Sequence, residues 1–216
     1  LLNNNIITKF KRNIIMLACL DLEGVLLPEI WIAFAEKTGI EELRLTTRDV
    51  PDYDQLMEGR LKILKENKLK LIDIENVIKT LTPLEGAKSF LDWLKSEFQV
   101  IILSDTFYQF ARPLMGTLDY PTLFCHELIT ENKGEIKGYR LRQPDGKTKA
   151  VSALKGLNFQ VIAAGDSYND IGMLKEADAG ILFCPPENVI EEFPQFPVSR
   201  DYTEFKKIFL KTRDSI

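Results

Sequence analysis

Short apolar runs that stop on an acid recur along this chain, and they limit what it can fold into. "NIIMLACLD" (13–21), "FQVIILSD" (98–105) and "FQVIAAGD" (159–166) are each about one strand long by ordinary strand lengths. "AGILFC" (179–184) is a fourth run without the acid. Runs apolar at nearly every position suit strands covered on both faces, as in a parallel sheet. Helical patterns separate them. In "LEGAKSFLDWLKSEF", Ala87, Phe90, Leu91 and Leu94 share one stripe, and "KTKAVSALKGL" and "DIGMLKEAD" read as further crossover helices. Strand alternating with helix predicts an α/β fold with a doubly wound, Rossmann-like parallel sheet.

Two segments interrupt the alternation. Residues 28–81 hold helical patterns ("EIWIAFAEKTGIEEL", "QLMEGRLKILKEN", "LIDIENVIKTL") and no convincing strand. A stretch of that length is too long for an ordinary connection and predicts a small helical cap inserted over the edge of the sheet. "TLFCHELITENKGEIKGYRLR" reads as strand, turn, strand around Asn132 to Gly134, a hairpin on the sheet edge. The expected plan is an N-terminal extension at 1–13, a core built from 14–27 and 82–216, and a cap at 28–81. Met16 is the expected native start, with residues 1–15 extra.

Composition narrows the functional classes. A chain of 216 residues suits one α/β domain with an insertion. A net charge of −4 leaves no basic footprint for nucleic acid, and the one basic cluster, "KFKR" at 9–12, lies in a polar tail. No apolar run reaches the length of a membrane span. Cys19, Cys125 and Cys184 form neither a CxxC nor a disulfide framework, and each sits among apolar residues as an inert core thiol. With no secretory pattern at the N-terminus, a cytoplasmic location is expected.

The acids at the strand ends carry the chemistry. The first strand gives Asp21 and Glu23, the second gives Ser104, Asp105 and Thr106, and the third gives "GDSYND" from Gly165 to Asp170. Open parallel sheets bind ligands at the carboxyl ends of their strands, so the three clusters are expected to converge. Asp21, Asp166 and Asp170 offer hard oxygen ligands that suit magnesium far better than zinc. No Walker A loop is present, and a single histidine, His126, makes a histidine-based hydrolase a poor fit. What remains is a carboxylate nucleophile forming an aspartyl-phosphate, with magnesium neutralising charge and a hydroxyl and a lysine holding phosphoryl oxygens.

"DLEGV", "LSDT", the lysine opening "KTKAV" and "GDSYND" occur in the order found in the haloacid dehalogenase-like phosphohydrolases. The chain resembles that family over roughly residues 14–186. Within it, "DLEGVLLPEIWIAFAEKTGI", "SDTF" and "AAGDSYND" are similar to the phosphoserine phosphatase branch, nearest to its bifunctional type with homoserine phosphotransferase activity. The resemblance implies Asp21 as nucleophile and Glu23, an aspartate in most of the family, as general acid/base. It implies Asp21, the Glu23 backbone carbonyl and Asp166 around Mg2+, with Asp170 in support. Ser104 and Lys147 would hold the phosphate, with Lys149 the competing lysine. Asp105 and Thr106, where the wider branch commonly has glycines, would contact substrate as well. Glu29 would pair the ammonium of L-phosphoserine, Arg60 would clamp its carboxylate, and Asn169 would also contact substrate. A homodimer is a further implication.

Each motif has a plainer reading when taken alone. Asp21 could cap a turn, "GDSYND" could be a turn and helix cap, and Lys147, Glu29 and Arg60 could be solvated charges. Trp31, Tyr53 and Met57 are expected to pack the cap rather than touch ligand, and His126 is expected to be structural. Two rival functions stand beside the leading one: the same mechanism on another small phosphomonoester, or a phospho-aspartate receiver domain. A receiver, however, carries its acceptor on the third strand rather than the first.

Overall fold

The structure, a computed structural model, describes residues 16–47, 49–50, 52–131 and 133–216. The expected extension at 1–13 and Asn132 of the expected turn lie outside them.

Strand β1 (Met16–Leu20) is the axis of the molecule. Leu17 and Cys19 point into one apolar cluster and Ala18 and Leu20 into another, so alternate side chains of one strand feed both layers. Its neighbours are β2 (Gln99–Phe107) and β5 (Gln160–Gly165), both parallel to it. β3 (Thr122–Thr130), β4 (Ile136–Arg140), β6 (Ala179–Phe183) and β7 (Val198–Ser199) complete a seven-stranded sheet of order β4-β3-β2-β1-β5-β6-β7. β4 alone runs antiparallel, paired with β3 as the expected edge hairpin. The chain leaves β1 toward one side for β2 and returns to its other side for β5, which places a switch point beside β1.

Helices cover both faces. α1 (Ile30–Thr38), α2 (Tyr53–Glu66) and α3 (Leu71–Ile78) fall between β1 and β2, within the segment expected to form a cap. α4 (Ala87–Glu97) and α5 (Tyr108–Met115) flank β2, and α6 (Gly146–Gly156) precedes β5. α7 (Ile171–Glu176), α8 (Glu187–Glu192) and α9 (Tyr202–Arg213) follow. α4 buries Ala87, Phe90, Leu91 and Leu94, the stripe read from its sequence. Phe90 stacks on Phe205 of α9 with ring centroids 4.6 Å apart, and Phe183 of β6 stacks on the same ring at 4.7 Å. No helix among the described residues is long and apolar enough to cross a membrane.

Cys19 and Cys125 are buried as expected, and burial pushes both thiols up to about 12. Cys184 departs from expectation. It follows the last residue of β6, where the chain leaves the sheet at positive φ, and it is exposed.

Candidate active site

β1 ends at Leu20, one residue before its acid. Asp21 still continues the ladder, its N–H donating to the Ala164 carbonyl at 2.9 Å. The chain then folds into a tight loop: the Leu22 carbonyl accepts from Leu26 and Leu27, and Gly24 N–H donates to the Leu27 carbonyl at 2.8 Å. Gly24 has φ +79, and a Cβ there would lie 2.6 Å from the Asp166 carboxyl carbon. Only glycine fits both the backbone and the space. The loop brings Glu23 and Asp21 to one cavity. The Tyr202 hydroxyl of α9 donates to the Val25 carbonyl at 2.8 Å, tying the loop to the C-terminal helix.

β2 contributes through an irregularity. Its pairing with β3 runs to Leu103 and resumes at Phe107, so Ser104, Asp105 and Thr106 fall in a bulge that frees their backbone from the ladder. Ser104 is buried, and its Oγ accepts from Thr106 N–H at 3.2 Å. Past β5, Asp170 is fully buried, with Oδ2 accepting from the N–H groups of Asp166 (2.9 Å) and Ser167 (3.1 Å). Gly165 makes room for it, since a Cβ there would lie 2.2 Å from the Asp170 carboxyl carbon.

Lys147, in the first turn of α6, joins these segments. Its Nζ is 2.8 Å from Asp170 Oδ1, 3.0 Å from Asp21 Oδ1 and 3.3 Å from Asp105 Oδ2, and its side chain is only 5% exposed. Lys149 is exposed on the same helix. Burial alone would lower the Lys147 pKa; Asp105, Asp170 and Asp21 outweigh it and raise it well above the ordinary value. Asp21 is also raised well above the carboxylate range, by burial first and then by Asp170, with Lys147 opposing. Glu23 is raised by burial, against the Ile30 N–H that donates to its Oε2 at 2.9 Å.

Ligand oxygens of Asp21, Asp166 and Asp170 all lie within 4.8 Å of one another, and all three residues are buried. That donor set fits Mg2+: three hard oxygens on fixed backbone, two of them packed where a glycine leaves space. The acids at this end of the sheet also outnumber Lys147 and Arg60, and so much buried negative charge calls for a cation before a phosphate can approach.

The other wall comes from α1 and α2. Arg60 is 7% exposed, its Nη2 donates to the Leu45 carbonyl at 2.8 Å, and its guanidinium lies 4.5 Å above the Trp31 ring. Its Nε is buried without a partner among the described residues. Burial lowers its pKa to about 10, against Tyr53, Glu23 and Glu29, so it stays charged at neutral pH. Glu29, at the N-terminal cap of α1, lines the same cavity, as do Thr106 and Asn169. Asp21, Glu23, Glu29, Arg60, Ser104, Asp105, Thr106, Lys147 and Asn169 line one cavity, and Asp166 and Asp170 stand beside Asp21. Trp31 and Tyr53 pack in the cap and also line the cavity, while Met57 is wholly buried. His126 was given no partner; it faces Asp105.

A doubly wound sheet that gathers buried acids and a buried lysine at the carboxyl ends of its strands, beside β1, has its polar centre where this fold class places an active site. The chain belongs to the haloacid dehalogenase-like hydrolases, whose family model matches residues 15–178. That sets the receiver alternative aside. A "Phosphoserine phosphatase" of Pseudomonas syringae pv. tomato is 64% identical over 90% of this chain and 82% of its own. "Phosphoserine phosphatase ThrH" of Pseudomonas aeruginosa is 63% identical over 90% of this chain and 95% of its own. Among solved structures, "Phospho-Aspartyl Intermediate Analogue of Phosphoserine phosphatase" superposes with TM-score 0.76 at 22% identity, covering 90% of this chain and 98% of that one. This last likeness bears on the fold alone.

Proposed function

We propose that the protein is a Mg2+-dependent phosphoserine phosphatase that works through a phosphorylated Asp21 and also passes the phosphoryl group to homoserine, in serine and threonine biosynthesis. The observation that carries the reading is Lys147 bridging Asp21, Asp170 and Asp105 opposite the buried Arg60 and Glu29. Names borne by relatives above 60% identity support the substrate.

The cavity matches the ends of L-phosphoserine. Arg60, whose fork has an unused donor, pairs the carboxylate, and Glu29 pairs the ammonium. A substrate lacking either group would leave a buried charge without its partner, which is how the site would discriminate. Residues 28–81 act as the cap that carries these two contacts.

An Asp21 oxygen attacks phosphorus, forming the acyl phosphate as the bond to the serine oxygen breaks. Glu23 gives its proton to that oxygen. Ser104 Oγ and Lys147 Nζ hold the phosphoryl oxygens. In the second half Glu23 takes a proton from water or from the homoserine hydroxyl, which then attacks phosphorus and frees Asp21. Asp21, Asp166 and the Glu23 carbonyl, with Asp170 in support, would hold Mg2+, which would neutralise charge between carboxylate and phosphate.

Phosphate release from L-phosphoserine, with and without Mg2+ and with and without homoserine, tests the reading on wild type and Asp21→Asn. Wild type should turn over only with the metal, homoserine should divert product to phosphohomoserine, and Asp21→Asn should be inactive. Full turnover by the asparagine variant would overturn the mechanism.

A further inference from the structure

Asp105 is placed differently from the other acids of the site. Its Oδ2 accepts from the Asn169 amide at 2.9 Å and faces Lys147 Nζ at 3.3 Å. Its Oδ1 faces His126 Nε2 at 3.5 Å, the outer limit of a hydrogen bond. Asp21 and Asp170, the other acids on Lys147, belong to the acidic group suited to a cation; Asp105 does not. Of the three, it is the one placed to position Lys147 rather than to hold a cation. Burial would raise its carboxyl, but Lys147, His126 and Asn169 prevail and hold it well below the usual range.

His126 is buried on β3, directly across from Phe107 at the end of the β2 bulge. Its Nδ1 accepts the backbone N–H of Arg142 at 3.2 Å. A donor therefore occupies that nitrogen, and the proton of the neutral ring belongs on Nε2, the atom aimed at Asp105. Tyr53 packs edge-on against the imidazole at 6.0 Å and Phe107 lies at 6.4 Å, which limits its rotation. A carboxylate with one engaged oxygen swings about its Cβ–Cγ bond; a donor on the second oxygen stops that.

We propose that His126 is a positioning residue acting through Asp105, fixing the carboxylate plane so that its second oxygen holds Lys147 Nζ and the Asn169 amide where the phosphoryl oxygens arrive. The inference deepens the function proposed above and rests on it. The loss on removing such an outer partner falls on the chemical step rather than on substrate affinity, because Arg60 and Glu29 are untouched.

His126→Phe keeps a ring against Tyr53 and Phe107 and removes the donor, whereas His126→Gln returns an amide N–H. With L-phosphoserine and with p-nitrophenyl phosphate, His126→Phe should lower kcat about tenfold, the lower end for lost outer-shell partners, with KM and Tm near wild type. His126→Gln should recover most of the rate. Asp105→Asn should also lower kcat, and adding His126→Phe to it should cost nothing further. Because the chain has one histidine, its ring nitrogens give unambiguous NMR signals, which should show a neutral ring protonated at Nε2 and should shift in Asp105→Asn. A ring protonated at Nδ1, an unchanged kcat in His126→Phe, equal loss in the Phe and Gln variants, or additive losses in the double variant would each overturn the proposal. Wild type that turns over p-nitrophenyl phosphate but not L-phosphoserine would sink the substrate reading and leave this test intact. The NMR measurement needs no turnover at all.

Discussion

At the scale of single residues, Glu23 is the group through which the proposed reaction passes its proton. Its carboxyl is anchored by the Ile30 N–H at the start of α1, and burial favours its protonated form. A serine alkoxide cannot leave without a proton, whereas p-nitrophenolate can. Glu23→Gln is therefore expected to lower kcat for L-phosphoserine on the order of 10²–10⁴-fold, the usual worth of general acid/base catalysis. The first-turnover release of p-nitrophenol should be far less affected. Equal slowing of both would remove Glu23 from the acid role. The acids and Ser104 drew notice because they close apolar strands in a row along the sequence, whereas Lys147, on a helix, was picked out by resemblance. Arg60 was readable only by resemblance. Its neighbours on the buried face of α2, Leu56, Met57 and Leu64, are apolar and read as core, and the Trp31 ring beneath it comes from another helix. His126 gave no signal, because its partner lies on an adjacent strand and is 21 positions away in sequence (126 against 105).

Among the elements, those with a regular apolar pattern were legible and those without were not. The stripe of α4 names its buried face outright. α5 was not singled out: Pro113 lies inside it, and a proline there argues against a helix. α9 was missed because it buries only Phe205 and Phe209 of its twelve residues, and what draws it in is the Phe90 ring on a distant helix. The loop after β1 turns on Gly24, and its position makes a sharp forecast. Gly24→Ala forces a left-handed backbone on an L-residue, costing about 1–2 kcal/mol, and drives a methyl into Asp166. The variant should melt lower and need more Mg2+ for half-maximal activity. An unchanged Tm together with an unchanged metal requirement would refute this account of the loop.

For the whole molecule, the connection that matters runs between chain positions 25 and 202. α9 stacks on α4 and β6 through Phe205 and, at the same end, lends the Tyr202 hydroxyl to the Val25 carbonyl. Tyr202→Phe keeps the stack and deletes one hydrogen bond, worth about 1 kcal/mol in stability. Its kcat should fall by more than the lost folded fraction explains, since the loop that loses its tie carries Glu23. A variant with wild-type kcat and a lowered Tm would make the bond purely structural. The partners in that bond stand 177 positions apart. A chain emerging from the ribosome thus carries Asp21 and Glu23 into the open early and gains the clasp on their loop only once residue 202 is out, so that tie is among the last the growing polypeptide can make.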